Sequence, residues 1–172
     1  MIAFSLEREI RCDEQRFWKL FFDPDFNRTQ FIDGLEFPKF EILEQRESDT
    51  EIFRRAAVTP KLDVPGPVAK LLGPSFSYVE EATFDKQSKR LHIKLLPPPG
   101  VLKDKLRMEA KVRIEPITGA SAPAVRRITD FEIEARMFGV GGLLEGASEK
   151  SLRTGWEKSA DFMNRWLAEH PS

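Results

Sequence analysis

The C-terminal part of the sequence, residues 139–170, has the periodicity of one long amphipathic helix. Its apolar residues recur at steps of three to five, the spacing that keeps side chains on one helical stripe. These residues are Leu144, Ala147, Leu152, Trp156, Ala160, Met163 and Leu167. Such a helix buries its stripe only against a surface of similar length, so we expect the preceding residues to form that surface.

A second stripe of the same helix carries only small side chains, those of Ser148, Ser151, Gly155 and Ser159. A glycine in the middle of a helix destabilises it by about 1 kcal/mol relative to alanine, so Gly155 needs a structural reason. One interpretation is close packing of the helix on a sheet. The other is that the small residues form the roof of a ligand cavity.

The length of the chain predicts its class of protein, and its net charge indicates which partners it does not attract. The chain has 172 residues, 41% of them hydrophobic, which predicts a single globular domain over residues 1–172. Its 27 Lys and Arg residues almost balance 28 Asp and Glu residues. The net charge of −1 therefore predicts no general attraction to nucleic acid or to an anionic membrane.

Targeting signals and cysteine pairs are not found. The N-terminus lacks a basic region followed by a continuous apolar one, and no apolar run of about 18 residues occurs. We therefore expect neither a signal peptide nor a transmembrane helix. The predicted location is cytoplasmic.

Cys12 is the only cysteine, which excludes an intrachain disulfide and a cysteine-built zinc site. We therefore expect its side chain to contribute to core packing.

The first part of the chain predicts one strand followed by two short helices. Residues 2–10 alternate between apolar and polar, the signature of a half-buried strand, with Arg8 as the exception on the apolar side. Asp13 stands where a helix N-cap is expected. Pro24 ends or kinks that first helix, and a second short helix is closed by Gly34.

Six further strands are predicted between these helices and the long one. They cover residues 39–47, 51–59, 75–85, 89–96, 105–116 and 124–138. Since no crossover helices separate them, they favour an antiparallel sheet. Residues 106–115 alternate strictly between apolar and charged, which indicates one buried and one solvent-exposed face. The predicted fold is α+β: a seven-stranded curved antiparallel sheet with a long C-terminal helix packed over it.

The segment of residues 61–74 interrupts the strands with three prolines and two glycines. It cannot be a central strand. In one interpretation it is a loop with one helical turn whose residues Val68, Leu71 and Leu72 pack on the sheet edge. In the other it is a lid over a cavity mouth, and its apolar side makes transient membrane contact while a lipid enters.

The order of one strand, two short helices, six strands and a long helix resembles the helix-grip fold of the START-like (SRPBCC) superfamily. That superfamily includes pollen-allergen-like proteins, polyketide cyclases and lipid-transfer domains. Residues 67–93, the strand of Glu109, residues 138–151 and Trp166 are similar to the PRELI and slowmo lipid-transfer family. The chain is also similar in plan to bacterial START-like families of unassigned function.

This resemblance implies a ligand cavity between the sheet and the long helix, without naming the ligand. Only residues 22–26 are similar to the Tyr-Pro-Asn-Pro turn of the PRELI and slowmo family, and only Trp18 corresponds to its early tryptophan. The headgroup residues of that family are therefore not carried over.

Polar residues on the inward strand faces are the candidates for a binding site, since a buried polar group needs a partner. Glu80 shares a face with Tyr78, and Arg54 on the preceding strand is placed to meet it. Arg127 lies in line with Phe131, and Arg8 is a fourth candidate. One hypothesis is that these charges lie at strand ends or pair as structure.

The functional hypothesis is that Arg8, Arg54 and Arg127 grip an acidic ligand head, carboxylate or phosphate, while aromatic residues hold its tail. The candidate ligand-binding residues are Arg8, Arg54, Phe76, Tyr78, Glu80, Phe84, Met108, Arg127, Phe131 and Trp156, with Val68, Leu71 and Leu72 as the lid. The predicted partner is a lipid or other hydrophobic small molecule.

Catalytic and cofactor signals are weak. His92 is expected to face outward and His170 stands near the end of the chain, so neither suits a catalytic triad or a metal site. After Gly139, Gly141 and Gly142, no Lys and no Ser or Thr stands at the position that a phosphate-binding loop requires. These glycines instead predict a bend before the long helix. We expect no metal and no cofactor.

Three functions remain open on this basis. The first is a nonenzymatic protein that binds a lipid or another hydrophobic molecule. The second is an enzyme of the cyclase or hydrolase type that uses Glu80 and Tyr78 as an acid/base pair, as the resemblance to cyclase-like members implies. The third is an adaptor protein with a filled core.

Overall fold

Seven antiparallel strands form one sheet in the order β1-β7-β6-β5-β4-β3-β2 in a computed structural model that describes residues 1–171. The strands are β1 (Ile2–Ile10), β2 (Lys39–Glu47), β3 (Glu51–Thr59), β4 (Tyr78–Asp85), β5 (Arg90–Leu96), β6 (Leu106–Pro116) and β7 (Val125–Ala135). Strands β2 to β7 are neighbours in chain order, and β1 pairs with β7. The predicted α+β helix-grip fold is confirmed.

Four α-helices accompany the sheet. They are α1 (Glu14–Phe21), α2 (Pro24–Thr29), α3 (Gly66–Leu72) and α4 (Gly141–Glu169). A π-helical turn, Gln30–Gly34, continues α2. None of the helices within residues 1–171 is long and apolar enough to cross a membrane.

Local signals place the short helices as expected. The side chain of Asp13 accepts a hydrogen bond from Arg16 N at 2.8 Å and so caps α1. Pro24 begins α2 instead of kinking α1, which already ends at Phe21. Gly34 permits close approach of α4, because a β-carbon there would lie 2.7 Å from the Phe162 ring.

The two ends of α4 pack on two separate apolar clusters. Leu144 and Ala147 near its start are buried against Met108 and Ile133. Ala160, Met163 and Leu167 near its end are buried in a second cluster, which contains Phe17, Trp18, Phe26 and Phe131. The apolar stripe is therefore buried at both ends, whereas Leu152 and Trp156 between them are only partly buried.

The bend between β7 and α4 depends on glycine. Gly139 has φ +78°, a left-handed conformation that disfavours other residues. Gly141 lies so close to β7 that a β-carbon would be 2.5 Å from the carbonyl oxygen of Ala135. These two positions turn the chain back over the sheet, as the glycine cluster predicts.

Candidate ligand-binding cavity

An apolar cavity of about 320 Å³, here called the outer chamber, lies between the sheet and the middle of α4. Tyr78, Leu95 and Met108 line it from the sheet. Its other walls come from α4, from α3 and from the loop before α3. The residues of these walls include Ser148, Ser151, Leu152 and Gly155 on α4, Val68 and Leu72 on α3, and Val64 in the loop.

A smaller cavity of about 90 Å³, here called the inner chamber, adjoins the outer one. The two share the lining residues Leu35, Phe37, Tyr78, Leu95, Met108, Ser151, Leu152 and Gly155. The inner chamber is lined in addition by Gln30, Arg54, Glu80, Arg127, Phe131, Trp156 and Ser159. Both chambers therefore have charged side chains in their lining, which include Lys61, Asp63, Lys150 and Lys158 in the outer one and Arg54, Glu80 and Arg127 in the inner one.

The small residues of α4 lie above these chambers. Ser148, Ser151 and Gly155 line the outer chamber, and Ser151, Gly155 and Ser159 line the inner one. A β-carbon built on Gly155 would meet no atom within 4 Å. The close-packing interpretation is therefore wrong for Gly155, where the helix faces open space.

Arg54 and Glu80 form a buried ion pair across strands β3 and β4. Arg54 Nη2 donates to Glu80 Oε1 at 2.7 Å, and the two side chains are 1% and 8% exposed. Arg54 Nη1 also donates to the carbonyl oxygen of Phe21 at 2.9 Å, which ties the sheet to α1. The predicted contact between Arg54 and Glu80 is thus present, and it neutralises both charges.

Arg127 is buried without such a partner. It is 4% exposed, and it donates to the carbonyl oxygen of Trp156 at 2.8 Å and to Ser159 Oγ at 3.2 Å. Among residues 1–171 no carboxylate oxygen lies within 4.0 Å of its guanidinium, so its hydrogen-bond partners are neutral. Burial, and to a smaller extent the nearby Arg8 cation, lower the pKa of Arg127 to about 9, which leaves it charged at neutral pH.

Three buried polar atoms in the described part of the chain have no hydrogen-bond partner: Gln30 Oε1, Arg54 Nε and Arg127 Nε. All three belong to residues that line the inner chamber. Unpartnered buried polar atoms are uncommon in folded proteins, because each one carries a desolvation penalty. The inner chamber therefore carries hydrogen-bonding capacity that the side chains and backbone around it do not use.

The aromatic residues of the site are held in defined positions. Trp156 Nε1 donates to Thr129 Oγ1 at 2.9 Å, and the Trp156 ring packs edge-on against Phe131 at 5.2 Å between centroids. Burial, and then the Glu80 charge, raise the pKa of Tyr78 well above its usual value of 10.0. Tyr78 is therefore a neutral phenol at neutral pH and can donate a hydrogen bond.

Most of the predicted site residues line one or both chambers. These are Arg54, Phe76, Tyr78, Glu80, Met108, Arg127, Phe131 and Trp156. Phe76 does so although it lies outside β4, which begins only at Tyr78, so the predicted strand of residues 75–85 started too early. Of the lid residues, Val68 and Leu72 line the outer chamber, whereas Leu71 does not.

Two predicted site residues lie elsewhere. Arg8 pairs with Asp161 and lies 4.0 Å from Glu157, both on α4, because β1 runs along the flank of that helix. Its side chain is 34% exposed and lines neither chamber. Phe84 faces inward as expected, but α1 covers it, and its ring packs 4.4 Å from that of Trp18.

Sequence reasoning missed Gln30. It lies inward because it follows the buried Phe26 and Asn27 at the four- and three-residue spacing of one helical side. The signal that could have found it is this spacing from Phe26, one helical turn earlier. On the opposite face of the sheet, His92 lies 2.9 Å from Glu109 and so points outward as predicted. Within residues 1–171 no three His, Cys, Asp or Glu side chains are grouped as metal ligands.

The seven-stranded antiparallel sheet and the long helix across it form the helix-grip fold that START-like (SRPBCC) proteins have. The chain belongs to the family described as "Protein of unknown function (DUF2505)", whose profile matches residues 5–167. No protein with a curated description matches the sequence. The finer resemblance to the PRELI and slowmo family stays a prediction.

Solved structures share this fold over the whole chain. TTHA0849 from Thermus thermophilus aligns with a TM-score of 0.66 and 18% identity over 99% of this chain and 100% of its own. The Zhui aromatase/cyclase from Streptomyces sp. R1128 has a TM-score of 0.62 and 13% identity, covering 99% and 96%. Norcoclaurine synthase from Thalictrum flavum has a TM-score of 0.62 and 16% identity, covering 98% and 87%. At these identities the likeness shows the fold alone.

The ion pair predicts a strongly non-additive pair of substitutions. Arg54→Met or Glu80→Leu alone leaves one buried charge unpaired, so each should lower the free energy of unfolding by about 3 kcal/mol or more. The double variant should lose less than the sum of the two, as measured by urea unfolding followed by tryptophan fluorescence. Lys86→Met, which removes a more exposed pair with Glu47, is the control and should change little. Additive single effects would contradict this role of the pair.

The open space at Gly155 predicts that alanine stabilises the protein there. Gly155→Ala should raise the free energy of unfolding by about 0.5–1 kcal/mol, because it improves helix propensity and places a methyl group in the cavity. Gly141→Ala in the same helix is the opposite case, because its β-carbon would collide with Ala135 O, and it should destabilise. A loss of stability in Gly155→Ala would contradict the cavity at this position.

Proposed function

We propose that this protein binds a lipid or another largely apolar small molecule in the two chambers and does not convert it chemically. The observation that carries this proposal is the outer chamber, about 320 Å³ of space between sheet and helix whose walls are mainly apolar. An apolar ligand that buries about 200 Å² of its surface gains roughly 5 kcal/mol before the losses on association are counted.

The helix packing supports a cavity that persists. Because both ends of α4 are buried in apolar clusters, its middle is held over the chambers by the rest of the fold. Small residues at 148, 151 and 155 leave the space that larger side chains would fill. The filled-core adaptor has no comparable support.

Related folds also accommodate organic molecules. One structure of the Thalictrum flavum norcoclaurine synthase contains dopamine and hydroxybenzaldehyde. This support is by analogy of fold, and the nature of the ligand of the present protein is inferred from its own chambers.

We assign the segment around α3 to ligand entry. Val68 and Leu72 line the outer chamber, and Lys61 in the preceding loop forms an exposed ion pair of 2.7 Å with Glu36. Opening of this segment would expose apolar side chains on the protein surface, which favours transient contact with a membrane if the ligand is a lipid.

Copurification is the direct test of the proposal. We expect native mass spectrometry of the freshly purified protein to show a bound organic molecule at near-equal stoichiometry, identified after organic extraction. Gly155→Leu should abolish it by filling the chambers, whereas Gly146→Leu, at an exposed position of the same helix, should retain it. A ligand-free wild-type mass, together with no uptake of a fluorescent fatty acid or phospholipid, would refute the proposal.

A second candidate is an enzyme that uses Tyr78 and Glu80. The observation in its favour is that both line the inner chamber on one strand, where Tyr78 is a protonated phenol. Since Glu80 is paired with Arg54, its replacement would disturb the fold as well as any chemistry, so Tyr78 is the better residue to change.

Tyr78→Phe removes only the hydroxyl and should separate the two candidates. If the protein is a carrier, wild type and Tyr78→Phe carry a molecule of the same mass, with at most a modest change in affinity. An enzyme would instead accumulate an unconverted compound of different mass in the variant. Tyr78 pairs with Val58 in the sheet, and Val58→Ile is a control that changes the core without touching a hydroxyl.

A further inference from the structure

The inner chamber carries one excess positive charge. Arg54 and Arg127 are cations and Glu80 is an anion, and all three line it. Glu109 also borders the chamber, but its carboxylate accepts hydrogen bonds on the other face of the sheet from Arg107 at 2.7 Å and His92 at 2.9 Å. Because Glu80 neutralises Arg54, the excess belongs to Arg127.

No residue in the described part of the chain neutralises Arg127. The carbonyl of Trp156, the hydroxyl of Ser159 and the Trp156 ring, 5.0 Å from the guanidinium carbon, are all neutral. Arg8, its partner in the sheet register, is itself a cation and is engaged by Asp161. A buried cation without a counter-ion carries a desolvation penalty of several kcal/mol, which an anionic group of a ligand would relieve.

The donors that remain on Arg127 suit a carboxylate. Its Nε–H has no partner, and Nη1 and Nη2 each keep a second hydrogen after bonding Ser159 and Trp156. A guanidinium edge binds a carboxylate with two parallel hydrogen bonds. Gln30 borders the same chamber, and the NH2 of its side-chain amide is a further donor.

We propose that the inner chamber is the head-group subsite of this cavity and takes a singly charged carboxylate on Arg127, with the apolar body of the ligand in the outer chamber. This inference rests on the proposed function and adds the chemical class of the ligand, an apolar carboxylic acid. A phosphate monoester carries about 1.5 to 2 negative charges at neutral pH, so only part of its charge would be balanced. The chamber volume of about 90 Å³ also favours the smaller head.

The wild-type protein tests this with three ligands that differ only in the head. Decanoic acid, 1-decanol and decyl phosphate compete with the neutral dye Nile red at neutral pH. A charge-assisted hydrogen-bonded pair contributes roughly 1.5–3 kcal/mol, so decanoic acid should bind about tenfold to a hundredfold more tightly than 1-decanol.

The outcomes distinguish the two levels of the proposal, which are the binding of hydrophobic molecules in general and the carboxylate subsite in particular. Equal affinity for decanoic acid and 1-decanol would overturn the carboxylate subsite and leave the binding of hydrophobic molecules intact. Tightest binding of decyl phosphate would overturn the choice of carboxylate. No binding of any of the three, nor of Nile red, would overturn both levels.

A matched pair of variants then tests Arg127. Arg127→Met should lose about tenfold to a hundredfold of its affinity for decanoic acid and keep its affinity for 1-decanol within about twofold. Arg126→Met is the control, because this neighbouring side chain is 47% exposed on the other face of the strand, and it should bind both ligands like wild type.

Different results are expected if the only role of Arg127 is to tether α4 to the sheet. In that case Arg127→Met would lower the melting temperature and weaken acid and alcohol alike, which would overturn the proposal. With the subsite as proposed, removal of an unneutralised buried cation should leave the melting temperature of the ligand-free protein unchanged or higher. If Arg127→Met does not fold, the wild-type comparison of decanoic acid with 1-decanol still decides.

Discussion

The anchoring of α4 at both ends is the constraint on which the rest of this structure depends. Leu144 and Ala147 are buried at one end, and Ala160, Met163 and Leu167 are buried at the other. Between them the helix cannot approach the sheet further without disrupting one of the two clusters. The space left under its middle is therefore a consequence of well-packed ends, and the small residues of that segment preserve it.

The buried charges form two groups with different physical roles. Arg54 and Glu80 neutralise each other, and Arg54 also bonds Phe21, so this pair joins β3, β4 and α1. Arg127 instead touches only neutral groups of α4. A natural sequence retains an unfavourable buried group mainly where function requires it, and Gly155 on the same cavity wall is a second position where stability is given up.

Much of the fold could be predicted because its signals are local and regular. The alternation in residues 106–115 identified the buried face of β6, and Asp13 marked the start of α1. The same reasoning correctly turned Arg54, Glu80 and Arg127 inward, since a strand period of two fixes the face of each residue once one face is known. It could not tell that Arg8, on the same face, would meet Asp161 at the flank of α4, because that depends on where the helix crosses the sheet.

The periodicities of the chain thus specified the elements, the side of each that is buried, and the stripe of small residues on α4. Which inward residues face a cavity was decided by distances between elements that are far apart in sequence. Phe84 and Phe131 have the same inward orientation, yet α1 covers the first while the second borders the inner chamber. Gln30 shares the buried side of its helix with Phe26 and Asn27, but only the packing of that helix against the sheet decided that it borders the inner chamber. A cavity is a region where tertiary contacts are not made, and patterns of residues within one element predict only which contacts that element is able to make.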